Sequence, residues 1–509
     1  MGRAFAIRGI VEGFYGTPWS HEARLEAITF LAPRGLNAYV YAPKDDAKHR
    51  ADWRVPYDAD ELARFREVAA HAESLDARFG FAISPGLDVE YESTGDRDAL
   101  LAKLEPLLAA GVPWFLLLLD DIAMEPRLAP RQAALATWLF ERLRGERADA
   151  SLTLCPTEYV GTQPSPYLGE LGSGLPPEVD VMWTGPTVCS PTLRADDARG
   201  WTAALGGRRT VVWDNTPVND ATMTGELHLG PYLGRDADLV DLVGGVLCNP
   251  MTQPRASLLQ LATAMDFLRD PDGYDAAASW ERAGQDLAAD RAAPLAVLAR
   301  ACADGPLAPP GRLPLTRLVD RFEAALDGPE WADAATALVS ELRAARALPE
   351  AFAAGVDDQL AGERAPWAVA ARAHAAAGLA ALRLIQQVTP VSGVPPGAAA
   401  GTAPVLIPPD PEPAMHHAFA LSYTWMACRA DEHTVYGPRF AVYSSVVQLP
   451  NGAGPALDVT AALREDANVI DRLCRLALRT YEAWRRSPET AREPANGPLP
   501  FHDRRIEES

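Results

Sequence analysis

Residues 114–121 read Trp114-Phe115-Leu116-Leu117-Leu118-Leu119-Asp120-Asp121. This is a short apolar strand running straight into two acids. Working outward, the same unit recurs on both sides. Ala6–Gly13, Ala38–Lys44 and Phe79–Gly86 precede it; Ser151–Tyr159, Val179–Gly185, Arg209–Asn215 and Val243–Pro250 follow. Each is bounded by Gly, Pro or polar residues and is mostly β-branched, aromatic or leucine. Helical patterns lie between them, among them His21–Leu31, Ala59–Ser74, Arg131–Leu143 and Ser257–Leu268, with Ser20 placed to cap the first. Eight strands alternating with helices predict an α/β fold, a (β/α)8 TIM barrel catalytic domain over residues 1–270. An open doubly wound sheet is disfavoured because no Gly-x-Gly-x-x-Gly turn follows the first strand.

Beyond the barrel the pattern changes. Residues 271–387 are rich in Ala, Leu and Arg with helical periodicity and predict an α-helical domain. Residues 388–415 are crowded with Pro, Gly and Ala and read as a loop or linker. Residues 416–486 read as a mixed segment: a helix, a less regular stretch Phe440–Leu449 and a final helix Ala467–Trp484. Residues 487–509 form a polar tail.

The net charge of −21 argues against a phosphate-backbone binder, and no nucleic-acid partner is expected. No apolar run reads as long enough to span a bilayer, and the N-terminus lacks the pattern of a signal peptide. The expectation is a cytoplasmic chain with no membrane partner. Six cysteines are scattered without a Cys-x-x-Cys, and Cys155 and Cys248 fall in apolar strands as buried thiols. Nine histidines form no His-x-His or His-Glu-x-x-His, so neither metal nor cofactor is expected. A Ser-His-Asp hydrolase is disfavoured because there is no Gly-x-Ser-x-Gly.

In barrel enzymes chemistry sits at the C-terminal strand ends. There the sequence places Gly13 with Phe14-Tyr15-Gly16, Lys44-Asp45-Asp46, Asp88, Asp120-Asp121, Glu158-Tyr159, Trp183, Trp213-Asp214-Asn215 and Asn249. Carboxylates, amides and aromatic rings on one rim suit a carbohydrate. Two adjacent carboxylates repel, which predicts that one stays protonated and acts as an acid. Neighbours in sequence cannot easily flank a glycosidic bond as separate acid and nucleophile, which favours a nucleophile carried by the substrate. The pair could equally cap the following helix. Lys44 is one of only three lysines, with Lys48 and Lys103. A solvated loop charge is the alternative to function for it, as core packing is for Trp183 and Trp213. Asp214 and Asn219 are read as turn formers. Glu12 and Glu158 are read as internal hydrogen-bond or ion-pair partners, with Arg8 the candidate cation.

Seven segments, in order over about residues 5–268, resemble glycoside hydrolase family 84, the O-GlcNAcases and bacterial β-N-acetylglucosaminidases. They are Arg8–Trp19, Tyr41–Arg50, Asp120-Asp121, Cys155-Pro-Thr-Glu-Tyr159, Trp183-Thr-Gly185, Trp213–Asp220 and Asn249-Pro-Met251. The resemblance implies a retaining, substrate-assisted β-N-acetylglucosaminidase. Asp120 would orient the acetamido group and Asp121 would serve as acid and then base. Tyr159 would sit near the acetamido oxygen, and Trp213 would line the pocket for its methyl. Gly13, Lys44, Asn215, Asp220 and Asn249 would bind hydroxyls and acetamido. The expected partner is a GlcNAc-bearing glycoside, glycoprotein or glycopeptide. The helical domain is expected to offer a homodimer surface or one wall of a glycopeptide groove. The competing readings are an endo-acting hyaluronidase-like glycosidase and a non-catalytic carbohydrate-binding scaffold.

Overall fold

Short strands of this kind have no polar face to give to water, so a closed barrel wrapped by helices is the arrangement that buries them. In the computed structural model, β1 (Ile7–Glu12), β2 (Ala38–Tyr41), β3 (Arg78–Ile83), β4 (Trp114–Leu118), β5 (Ser151–Cys155), β6 (Asp180–Trp183), β7 (Thr210–Asp214) and β8 (Gly245–Cys248) form that barrel. Every pair is parallel. β8 closes on β1 with Ile7 opposite Gly245 and Ile10 opposite Cys248. The structure describes residues 2–288, 291–309, 314–326, 331–353, 358–389, 391–393, 405–407, 411–437, 440–448, 455–463 and 468–486. The expected polar tail lies outside them.

Val11, Val40, Ala82, Leu116, Leu118, Met182, Val211 and Leu247 pack together in the core. Each fully buried leucine or valine contributes about 1.5–3 kcal/mol. The helices are α1 (His21–Leu31), α2 (Ala59–Ser74), α3 (Thr94–Ala109), α4 (Leu128–Glu146), α5 (Pro166–Gly174), α6 (Ala195–Ala204) and α7 (Pro254–Arg269). Ser20 caps α1 by accepting from the Ala23 N–H at 3.1 Å. The alternation lapses once. After β7 no α-helix forms, and two 3₁₀ turns, Ala221–Met223 and Ala237–Asp241, fill the connection. That long loop carries Asp220 and frames the site.

The helices that follow are α8 (Ala276–Ala288), α9 (Ala292–Ala301), α10 (Pro314–Ala325), α11 (Trp331–Arg346), α12 (Leu348–Ala353) and α13 (Asp358–Val388). The expected loop at 388–415 contains a short antiparallel pair, β9 (Val391–Gly393) and β10 (Val405–Ile407), and α14 (Pro411–Arg429) starts inside it. The stretch read as irregular is a strand, β11 (Phe440–Gln448), paired antiparallel with β12 (Pro455–Leu463). The chain ends its described part in α15 (Val469–Arg485). Contacts group the chain into two compact units, 1–372 with 431–469, and 373–430 with 470–509.

One expectation needs correcting. Gly362–Val388 is long and apolar enough to cross a membrane by length and composition, and 67% of that window is buried within the protein. Its alanines are interrupted by scattered arginines, and alanine reads weakly as apolar, so the sequence does not announce it as one apolar run.

Within the first unit, later segments brace the barrel's rim. Glu363 on α13 accepts from the Ala256 N–H at 2.9 Å, serving the start of α7, whose own N-cap residue Gln253 makes no side-chain capping bond to the helix. Residues 431–437 return to the loop after β7. The Thr434 N–H donates to the Gly225 carbonyl at 2.7 Å, and Trp367 Nε1 reaches the same oxygen at 2.9 Å. A Cβ on Gly225 would lie 2.2 Å from the Glu432 carbonyl oxygen, so only glycine permits this approach.

Candidate active site

The two acids after β4 are separated by a backbone turn. Asp121 takes φ 55°, the left-handed region, which ends the strand's alternation of faces. Both carboxylates reach the same rim through different partners. Asp120 is buried, and its Oδ2 accepts from Lys44 Nζ at 2.5 Å. Among the described residues its Oδ1 is buried with no hydrogen-bond partner. Asp121 is exposed; its Oδ1 accepts from the Tyr159 hydroxyl and its Oδ2 from the Tyr15 hydroxyl, both at 2.8 Å.

Surrounding protein works against the Asp121 charge, but Lys44, the two phenols and Arg50 together outweigh it. They hold the carboxyl below the ordinary carboxylate range. At Asp121 this is opposite to the upward push expected of a carboxyl beside another acid. Cations and donors at the site override the repulsion between neighbours. Asp220 on this rim is pushed upward, by burial first and also by Asp121, while its bond from the Tyr15 N–H pulls the other way.

The other predicted residues form a connected wall. Asn249 accepts from the Gly13 N–H at 3.1 Å and donates to Asn215 Oδ1 at 2.9 Å. Asn215 also accepts from Trp213 Nε1 at 2.9 Å and donates to the Val188 carbonyl at 2.8 Å. A Cβ on Gly13 would stand 2.1 Å from the Trp213 ring, so glycine here makes room for that indole. Lys44 Nζ lies 5.6 Å from the centre of the same ring. Asp220 accepts from the Tyr15 N–H at 2.7 Å. All nine residues singled out for chemistry are therefore brought together: Gly13, Lys44, Asp120, Asp121, Tyr159, Trp213, Asn215, Asp220 and Asn249.

Other polar rim residues are structural. Glu12 is buried and pairs with Arg24, not with Arg8: Arg24 reaches it at 2.7 and 2.9 Å, with Tyr39 and the Trp19 N–H completing its shell. Arg8 instead donates to the carbonyls of Phe5 and Gly35. Glu158 accepts from Ser165. Asp214 does more than shape a turn, because Arg235 and Tyr232 enclose it. Asp88 accepts from Trp53 and Arg54. Trp183 is fully buried against Trp201 and donates to the Gly161 carbonyl.

The sequence places Tyr15 and Asp45 on the rim without giving them a role, and Arg50 is not singled out; in the structure Asp45 accepts from the Gly16 N–H at 3.0 Å. Tyr15 and Arg50 lie inside the quoted segments, but nothing local says that one would reach Asp121 and the other the Tyr15 ring. Among the described residues, no group of three or more His, Cys, Asp or Glu side chains is placed to hold a metal ion.

A family model described as beta-N-acetylglucosaminidase matches residues 8–300. The protein O-GlcNAcases of Rattus norvegicus and Mus musculus are each 36% identical over 270 residues, a match that covers 50% of this chain and 29% of theirs. The match thus spans less than a third of the length of these curated relatives. Among solved structures, a mutant of the O-GlcNAc hydrolase of Thermobaculum terrenum aligns with a TM-score of 0.75 at 27% identity, covering 94% of this chain and 96% of that one. CpGH84B aligns with a TM-score of 0.76 at 26% identity, covering 94% and 77%.

Proposed function

Because the chain belongs to the β-N-acetylglucosaminidase family, glycoside hydrolase family 84, we propose that it removes terminal β-linked N-acetylglucosamine with retention, using the substrate's own acetamido group as nucleophile. The observation that carries this reading is Asp120 Oδ1. A buried carboxylate oxygen without a donor is costly and rare. Its partner oxygen is fixed by Lys44, so Oδ1 is held ready for a donor from outside the protein. The amide N–H of a 2-acetamido group is such a donor. Accepting it would turn the acetamido carbonyl oxygen toward C1 and raise its nucleophilicity.

Asp121 then acts at the other side of the bond. As the acetamido oxygen attacks C1, the bond from C1 to the leaving oxygen breaks, and Asp121 gives that oxygen its proton. The product of this step is an oxazoline, its N–H proton having passed to Asp120 Oδ1, which returns it to the nitrogen in the second step. In the second step Asp121 takes a proton from the water that attacks C1, and the acetamido group is restored. The free carboxyl sits low, so it suits the second step as it stands. For the first step it must gain a proton when substrate displaces water and rearranges the two phenol bonds. Tyr159 is placed to move from Asp121 to the acetamido oxygen. Trp213 walls the space for the methyl group. Gly13, Lys44, Asn215, Asp220 and Asn249 supply the polar contacts for the remaining groups of the sugar.

Protein-linked GlcNAc is the finer reading of the substrate, and glycopeptides are its test. A second copy of the chain is the proposed partner. Met415, Phe419, Tyr423 and Met426 stand 40–71% exposed along α14, an apolar stripe of the kind that association covers. Sedimentation at micromolar concentration checks this, and a monomer there would remove it.

The reaction is tested with an aryl β-GlcNAc and the matching aryl β-glucoside, in the presence of EDTA, with Asp120→Asn and Asp121→Asn alongside. The expected result is turnover of the acetamido sugar alone, unaffected by chelation and crippled in both variants. Comparable turnover of the glucoside would sink the acetamido mechanism.

A further inference from the structure

Most arginines near this rim are matched to carboxylates: Arg24 to Glu12, Arg54 to Asp88 and Asp96, Arg235 to Asp214. Arg50 is different. It lies midway along the loop between β2 and α2, where its N–H bonds the Asp46 and Ala47 carbonyls at 3.2 Å. Its side chain is half-buried, Nη1 is buried without a hydrogen-bond partner, and among the described residues it forms no ion pair. Its guanidinium instead lies 5.8 Å from the centre of the Tyr15 ring. Tyr15 is 39% exposed, so water competes for its hydroxyl, yet that hydroxyl is held on Asp121 Oδ2 at 2.8 Å. The Tyr15 N–H meanwhile holds Asp220.

We propose that Arg50 is a positioning residue for the reaction: it anchors the Tyr15 ring so that the phenol stays on Asp121, and it thereby governs when that carboxyl is free to take up a proton. A cation against the ring attracts its electrons and makes the hydroxyl a stronger donor. The same positive charge favours the ionised form of Asp121. Arg50 acts among several groups that face Asp121: Lys44 from the end of β2, Tyr15 from the end of β1, Cys155 and Tyr159 from the end of β5, Asp220 from the loop after β7, and the adjoining Asp120. Among these, Arg50 and Lys44 are the cations, and Lys44 is already bonded to Asp120. Removing Arg50 therefore removes the cation at this site that has no carboxylate of its own.

This inference rests on Asp121 being the acid and base. The experiment compares Arg50→Met, Arg50→Lys and Asp121→Asn, each checked for folding by thermal denaturation, on a GlcNAc glycoside with a poor leaving group and on an activated dinitrophenyl glycoside whose departure needs no proton. For Arg50→Met the alkaline limb of kcat/KM on the poor leaving group should move up by about half a pH unit, since a charge lost several ångströms away shifts a carboxyl by that order. The loss in rate should be at least about fivefold larger on the poor leaving group than on the activated one, because general acid catalysis is worth about 10²–10⁴ only where a proton must be delivered. Arg50→Lys, which keeps the charge, should return the limb most of the way. A folded Arg50→Met whose limb does not move, or whose losses are equal on the two substrates, would overturn the proposal. Asp121→Asn separates the two failures: if its own loss ignores the leaving group, the acid–base assignment has failed, and with it the basis for Arg50.

Discussion

The ends of β4 and β7 each deliver a buried aspartate, and the two are treated in opposite ways. At the end of β7, Arg235 donates to both oxygens of Asp214, at 2.6 and 2.8 Å, and Tyr232 adds a third bond at 2.7 Å. Asp214 is 1% exposed, with every oxygen supplied from within the protein. At the end of β4, Asp120 has one lysine on one oxygen and nothing on the other. A buried carboxylate whose needs are all met is a strut. One left short is costly to the fold, and that cost is tolerated where an incoming ligand can complete the shell. Exposure alone would not separate them, because Asp120 is also buried.

The largest effect that would sharpen this contrast is on stability. Asp214→Ala strands the Arg235 guanidinium in a buried place, and removing one partner of such a pair costs about 3–5 kcal/mol. Urea unfolding should show that loss, and a shift below about 1 kcal/mol would break the comparison. Asp120→Asn should do the reverse. Its amide oxygen can keep the Lys44 bond, so the midpoint should stay close to wild type. The oxygen that receives the acetamido N–H is replaced by a donor, and kcat on an aryl β-GlcNAc should fall by about two to three orders of magnitude, as when a single transition-state hydrogen bond is lost. Next in size is Gly13→Ala. Its methyl would overlap the Trp213 ring, and overpacking of this kind costs about 1–3 kcal/mol. Because Gly13 also joins Asn249, the variant should lose sugar affinity as well, read as a raised KM.

Much of this was legible in the chain. The eight strands and the cap at Ser20 follow from apolar runs and local hydrogen-bond chemistry, both short-range properties. Eight of the nine site residues were legible because they sit at or just past a strand's end, and Asp220, in the loop after β7, came from the family resemblance alone. What was not legible is pairing across strands. Glu12 meets Arg24 on the next helix, although Arg8 stands closer in sequence and was the expected partner. Tyr15 reaches Asp121, 106 residues away, and no local pattern encodes that. The scarcity of lysine was also a weaker signal than its first reading suggests. Lys103 is as buried as Lys44, yet it donates to the carbonyls of Lys48 and Val55 and packs on Tyr57, which is structural work. The helix missing after β7 has a related cause. That connection is held by contacts with residues 431–437 and Trp367, distant in sequence, so its own composition does not announce it.

The smallest expected effect carries the contrast onto the rim itself, where Asp121 and Asp220 should answer pH with opposite signs. The folded protein holds Asp121 below its ordinary value, so the ionised carboxylate stabilises the fold. That contribution is present above about pH 4, the unfolded carboxyl value, and is lost as pH falls through the lower folded value. Asp220 is held above its ordinary value, so its ionised form costs stability at neutral pH. The cost sets in as pH rises from about 4 through the raised folded value, and it is absent in more acid solution. Against wild type at pH 7, Asp121→Asn should therefore be less stable and Asp220→Asn more stable, with the Tyr15 N–H still able to bond the new amide oxygen. Both differences should shrink below pH 4. Exposure of Asp121 to solvent makes its effect the smaller of the two. Paired denaturant titrations at pH 7 and below pH 4 measure it. If the two variants shift with the same sign at pH 7, the rim does not divide its carboxylates in this way, and the low-lying Asp121 on which Arg50 is argued to act would lose its physical basis.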